Sequence, residues 1–163
     1  MTEQRVGIGF DAHRFADGRA LVLGGVRIEH PLGLEGWSDA DALLHAIADA
    51  VLGAAALGDI GQHFPPLDPA WKGADSREIL RAAVTLAANE GWSVVNVDAT
   101  VLAEAPRIAP HTEAMRLSVA QACGIDPDSV SVKATTMEGM GFVGREEGIA
   151  TMAVAMLARG KDA

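Results

Sequence analysis

The segment that most limits what this chain can fold into is its last apolar stretch, residues 149–157, IATMAVAML. Its positions are apolar in both alternating registers, with Ile149, Ala153 and Ala155 on one side and Met152, Val154 and Met156 on the other. A strand of this kind needs cover on both faces. Helices from elsewhere in the chain can cover one of them. In a single-layer α/β domain the other would meet water, and self-association is the economical cover.

The rest of the chain supplies those helices. Apolar periodicity switches between two and about 3.6 along short segments joined by short turns, with no repeat, low-complexity tract or linker. Residues 5–13 read as a strand, and residues 20–29 as a pair of short strands around Gly24-Gly25. Residues 38–58 read as a long helix, with Leu44, Ile47 and Val51 at three- and four-residue intervals and Ser38 as its N-cap. Residues 61–75 carry Pro-Pro and Gly, which suits an irregular loop long enough to act as a lid. A second helix follows over 76–89, burying Ile79, Leu80, Ala83 and Leu86 and stopped by Gly91. A β-branched strand over 93–104, a third helix from Pro110 to Gly124, a strand over 130–136 and a Gly-rich turn precede the final strand. The pattern predicts an α/β sandwich with helices packed on one sheet.

A chain of 163 residues fits a single domain, since a core of this size buries about two-thirds of the surface the unfolded chain exposes. No uninterrupted apolar stretch approaches the ~20 residues that span a bilayer, so no membrane is expected. The opening MTEQRVGIGF lacks the basic segment, apolar run and cleavage site of a secretory signal, which points to the cytoplasm. The one cysteine, Cys123, lies in a helical pattern and reads as a packed core thiol. A net charge of −9 argues against nucleic acid as a partner. An acidic chain still holds a polyanion if it first binds divalent metal, or offers backbone amides at helix N-termini and turns.

Metal ligands are available. Asp11 and His13, two apart on a predicted strand, leave the same face and can converge on one ion. Asp41, His45 and Asp49 lie four apart and draw one polar stripe along a helix otherwise rich in Ala and Leu. Two His and one carboxylate leave a fourth tetrahedral position open, the pattern of catalytic rather than structural zinc; manganese or iron would accept the same donors. Asp49, a turn beyond His45, reads either as a residue that orients that imidazole or as an ordinary helix charge.

Five phrases carry a further signal: GIGFDAHRF, SDADALLHAIADAVLGAAALGDIG, WKGADSREIL, VDATVLAEAPRIAPH and KATTMEGMGFVGREEGIA. In this order and spacing the chain resembles, over nearly its whole length, the 2-C-methyl-D-erythritol 2,4-cyclodiphosphate synthase family. The resemblance implies an α+β subunit of ferredoxin-like character with a mixed sheet, assembled as a homotrimer with an active site at each subunit junction. It also implies conversion of 4-diphosphocytidyl-2-C-methyl-D-erythritol 2-phosphate to the cyclodiphosphate and CMP, in the non-mevalonate route to isoprenoids.

By the same likeness, zinc would sit on Asp11, His13 and His45, and magnesium or manganese on Glu138. Ser38, with Trp37 beside it, would face the substrate phosphate, and Asp41 and Asp59 the sugar-alcohol hydroxyls, with Gly61 also among the substrate contacts. Ala103, Pro106, Arg107, Ile108 and Ala109 would receive the cytidine on their backbone, with Ala134, Thr135 and Thr136 completing the pocket and Thr136 steadying the departing CMP. Phe142 joins the substrate contacts, and Arg145 holds the position that would meet an isoprenoid diphosphate in the trimer's central cavity, unless it pairs with Glu146 or Glu147. The chain departs from the family at Trp37, usually His, which can donate its amide equally well or else narrow the pocket and pack on the lid. It also departs at Arg107, often Lys, at Met137, and at Met152, acidic in some members. The competing reading is a non-catalytic trimeric module that binds an isoprenoid diphosphate.

Overall fold

In the computed structural model, which describes residues 2–160, the apolar segment near the C-terminus lies in the middle of a five-stranded mixed sheet. Strand β7 (Gly148–Gly160) pairs antiparallel with β1 (Thr2–Ala16) on one side and with β5 (Ser93–Leu102) on the other. The two-residue β4 (Gly33–Leu34) extends the sheet beyond β1, and β6 (Val130–Thr135) runs parallel to β5 at the opposite margin, giving the order β4-β1-β7-β5-β6. Strands β2 (Leu21–Leu23) and β3 (Val26–Ile28) form a separate hairpin around Gly24-Gly25, as the sequence predicts.

Helices α1 (Ala42–Ala54), α3 (Ser76–Asn89) and α4 (Thr112–Cys123) cover one face only. On that face lie Ile149, Ala153, Ala155 and Leu157 of β7 and Val97, Ala99 and Val101 of β5, all buried. The opposite face keeps Val6 (66% exposed), Ile8 (67%), Phe10 (56%), Met152 and Val154 open to solvent, so the second apolar register of β7 has no cover within the chain. Among the described residues no helix is long and apolar enough to cross a membrane.

Helix α1 is buried almost all round because it lies directly on β1 and β7 with α3 beside it. Gly7 and Gly9 make that approach possible. A Cβ on Gly9 would fall 1.8 Å from the Ala46 carbonyl oxygen, and one on Gly7 2.0 Å from that of Ala50. Backbone therefore meets backbone, and His45 is lowered onto the strand that carries Asp11 and His13.

Two expectations need correction. The long helix does not begin at Ser38: Ala40 has φ of 58°, which interrupts a helical path, and the N-cap is Asp41, whose Oδ1 accepts from the amide of Leu44 at 3.0 Å. The predicted irregular loop also contains order of its own, a single turn α2 (Ile60–His63) capped by Asp59 and a 3₁₀ turn over Pro69–Trp71 capped by Asp68. Elsewhere the periodicity reads well, with α3 matching its predicted span and α4 closed by Gly124 in the left-handed conformation.

Candidate metal centre and cleft

Asp11 and His13 project from the helix-facing side of β1, and His45 descends from the first turns of α1 to meet them. Their donor atoms converge: Asp11 Oδ2 lies 2.9 Å from His13 Nε2 and 3.1 Å from His45 Nδ1, and the two nitrogens are 3.3 Å apart. Among the described residues this trio has one donor atom apiece within 4.8 Å of the others, a donor set suited to a divalent metal. The opposite ring nitrogen of His13 donates to the Glu35 carbonyl at 2.6 Å, which leaves Nε2 as the unprotonated, ligating atom.

The electrostatics agree with a ligand role. Burial opposes ionisation of Asp11, but the neighbouring His13 and His45 rings overcome it and hold the carboxyl well below the usual carboxylate range. Burial likewise disfavours charge on His13, and the Asp11 carboxylate outweighs it and raises its proton affinity.

Beside the trio opens a cleft of about 260 Å³ walled by Trp37, Ser38 and Ile79 and roofed by Gly61, Phe64, Pro65 and Trp71. The roof is tied to the wall. The Trp37 indole N–H donates to the Asp68 carbonyl at 2.8 Å, the Gly73 amide donates to the Trp37 carbonyl at 2.8 Å, and the Asp39 amide donates to that of Ala74 at 3.0 Å. Lys72 stacks its ammonium 5.6 Å from the Trp37 ring centre. Trp37 thus packs against the predicted lid, while Phe64 and Trp71 meet edge to face at 5.0 Å within it.

The structure separates the other predicted site residues. Asp41 does not reach the cleft: it is fully buried, and its carboxylate is spent on the amides of Gly24 (2.9 Å), Gly25 (2.7 Å) and Leu44. That removes Asp41 from contact with the sugar-alcohol hydroxyls and gives it a structural task, joining the β2–β3 turn to the start of α1. Asp49 does not orient His45, because its Oδ1 accepts from the Ile60 amide at 2.7 Å and so anchors α2 under the roof. Asp59 is exposed beside the roof, where it caps α2 through Gln62. Arg145 donates to Glu147 at 2.7 Å, the pairing that competed with an anion-binding role. Phe142 lies by a smaller cavity with Ala12, His13, Arg14 and Glu147.

Ala103, Pro106, Arg107, Ile108 and Ala109 follow the C-terminal end of β5, and Ala134, Thr135, Thr136 and Glu138 close and follow β6. The two segments are adjacent, with the Ala103 amide donating to the Thr135 carbonyl at 3.0 Å. They do not line the cleft. Register places Ala12, Ala150, Leu102 and Thr135 in one row across β1, β7, β5 and β6, so all share an end of the sheet, with the β5 end two strand spacings from β1, roughly 10 Å, and the β6 end three, roughly 14 Å. Glu138 has φ of 52° and is held in that left-handed state by Glu104, whose Oε1 accepts from the amides of Met137 (2.8 Å) and Gly139 (3.3 Å). Sequence reasoning missed Glu104, together with Asp39 and Ser76. All three stand inside the quoted phrases, but nothing in residue type or spacing marks what they touch.

Residues 4–158 match the model of the YgbB family. The chain is 60% identical over 155 residues to a protein of Pseudomonas syringae pv. syringae (strain B728a) named 2-C-methyl-D-erythritol 2,4-cyclodiphosphate synthase, a match that covers 95% of this chain and 99% of that one. Its fold is similar to part of the bifunctional IspDF from Campylobacter jejuni, with a TM-score of 0.94 and 39% identity over 99% of this chain; the chain spans 44% of that longer protein. It is also similar to a 2C-methyl-D-erythritol-2,4-cyclodiphosphate synthase in its CDP-bound form, with a TM-score of 0.86 and 35% identity over 94% of this chain and 99% of that one.

Proposed function

The chain belongs to the YgbB family, and we propose that it carries out the reaction its relatives are named for, as a 2-C-methyl-D-erythritol 2,4-cyclodiphosphate synthase of the non-mevalonate isoprenoid route. In 4-diphosphocytidyl-2-C-methyl-D-erythritol 2-phosphate, an oxygen of the 2-phosphate attacks the β-phosphorus. A new P–O–P link forms, the bond from that phosphorus to the bridging oxygen breaks, and CMP leaves with the bridging oxygen. The observation that carries this reading is the convergence of Asp11, His13 and His45 at the foot of a roofed cleft.

The attacking phosphate is already ionised near neutral pH, so positioning and charge neutralisation do the work rather than a general base. Zinc on Asp11, His13 and His45, with magnesium or manganese on Glu138, would polarise the diphosphate and neutralise its charge. Ser38 lines the cleft and its hydroxyl would donate to a phosphate oxygen, while the roof formed by Phe64, Pro65 and Trp71 would keep water from competing with the 2-phosphate for the phosphorus. Trp37 replaces the family's usual His without blocking the cleft, since its indole is drawn towards Asp68. The backbone of residues 103–109 and the side chain of Thr136 would receive the cytidine and the leaving CMP. Those groups stand too far from the trio to act on one diphosphate within a single chain. A homotrimer that buries the exposed face of β1 and β7 would bring one subunit's trio to its neighbour's cytidine loops.

The test is CMP release from the diphosphocytidyl substrate with zinc and magnesium present. His45→Ala and Glu138→Ala are each expected to lower turnover at least about 100-fold. A folded, zinc-loaded wild type that releases no CMP would overturn the enzyme reading in favour of the non-catalytic module.

A further inference from the structure

His45 is oriented by residues outside the metal trio. Its Nε2 lies 2.9 Å from Ser76 Oγ at the first residue of α3 and 3.3 Å from Ser38 Oγ. Ser76 is fully buried, and its hydroxyl lies 2.5 Å from Asp39 Oδ1; Asp39 Oδ2 also accepts from the Ser76 amide at 3.0 Å, and Oδ1 from the Asp41 amide at 3.1 Å.

This chain of contacts has a direction. An ionised carboxylate only accepts hydrogen bonds, so the Ser76 hydroxyl donates to Asp39 and can offer His45 only a lone pair. The proton between Ser76 and His45 therefore belongs to Nε2. Nδ1 is left bare, and it is Nδ1 that faces Asp11 and His13. We propose that Asp39 and Ser76 are positioning residues that hold the His45 ring in the Nε2-protonated form with its Nδ1 lone pair aimed at the metal. The proposal rests on the reading of Asp11, His13 and His45 as metal ligands. It makes the two histidines complementary: His13 presents Nε2 because Glu35 takes its Nδ1 proton, and His45 presents Nδ1 because Ser76 takes its Nε2 proton.

Zinc affinity, measured by competition against a chromophoric chelator at fixed pH, tests this directly. Ser76→Ala and the near-isosteric Asp39→Asn are each expected to weaken zinc binding about ten- to hundred-fold in protein whose circular dichroism matches wild type. Asp39→Asn changes almost no volume, yet one orientation of its amide donates to Ser76 Oγ and turns the Ser76 hydroxyl towards Nε2. The d–d absorption of the cobalt-loaded variants should shift with the altered His45 geometry, a change that a general loosening of the fold would not produce. Either folded variant binding zinc within about two-fold of wild type, with an unchanged cobalt spectrum, would overturn the proposal. A measurement on wild type alone decides the case if neither variant folds. In the zinc-loaded protein the His45 Nε2 proton should be protected from solvent exchange and show a nuclear Overhauser contact to Ser76, whereas exchange as fast as in a free imidazole overturns the relay. Wild type that takes up no zinc at all would defeat the metal reading itself, an outcome distinct from failure of the variants.

Discussion

Adding one methyl group at Gly9 would set a Cβ 1.8 Å from the Ala46 carbonyl oxygen, so Gly9→Ala must push α1 off β1 and lift His45 away from Asp11 and His13. A forced backbone shift of this kind costs about 3 kcal/mol, which urea denaturation would register, and zinc affinity should fall with it. Cys123 gives a second residue-scale prediction. Burial pushes its thiol from 9.0 up to about 12. The unfolded chain then releases its thiol proton first, so stability is unaffected below the ordinary thiol range and falls as pH rises through it. From about pH 8 to about pH 10 the urea midpoint of wild type should drop more than that of Cys123→Val, and a thiol reagent should leave native protein unlabelled. Residue type and spacing made Asp11, His13 and His45 legible in the sequence, because a strand period and a helix stripe each constrain direction. Asp39, Ser76 and Glu104 were not legible, since their roles depend on partners 31 to 37 residues away that only the folded chain supplies.

The roof over the cleft, residues 60–75, is held to the wall by hydrogen bonds at Asp68, Gly73 and Ala74. Trp37→Phe keeps an aromatic wall but deletes the indole donor to Asp68. The loss is worth about 1 kcal/mol locally, so amide exchange over residues 64–75 should quicken about five-fold while exchange in α1 and β7 stays unchanged. Hydrogen-exchange mass spectrometry would detect this. Strand β1 runs three residues beyond its predicted span at each end, β7 continues to Gly160 and α1 stops at Ala54 short of Gly58, whereas α3 was readable to its ends. The start of α1 was not, because Asp41 is selected as N-cap by the remote amides of Gly24 and Gly25 as well as by Leu44. Strand β4 and the turns at 60–63 and 69–71 are too short to display a period.

For the molecule as a whole, the open apolar face of β1 and β7 is the surface on which the proposed homotrimer depends. Phe10→Glu would put a charge on that face without touching the core. If the proposed homotrimer forms through this face, sedimentation equilibrium should find wild type trimeric and the variant monomeric. It should bind zinc normally yet release no CMP, because the trio and the cytidine loops would no longer meet. A trimeric, active Phe10→Glu protein would refute both the interface and the shared site. The need for a second cover was plain from the doubled apolar pattern of residues 149–157. That β1 and β7 share the uncovered face, and that residues 103–109 and 134–138 follow other strands than the one carrying Asp11 and His13, depended on strand order and register, quantities that no local pattern encodes.

The backbone contact of α1 with Gly7 and Gly9 has a bearing on how ligands are accommodated. Where two main chains touch, no rotamer can change and no methylene can shift, so the β1–α1 contact behind the cleft fixes the spacing between the strand of Asp11 and His13 and the helix of His45. All adjustment is left to the Trp37–Trp71 side, where the cost of fitting is the ordering of a surface loop. Compounds that share a metal-binding head should therefore differ in affinity mainly through the entropy of that loop. Selectivity for this chain should come from groups that reach the Trp37 indole.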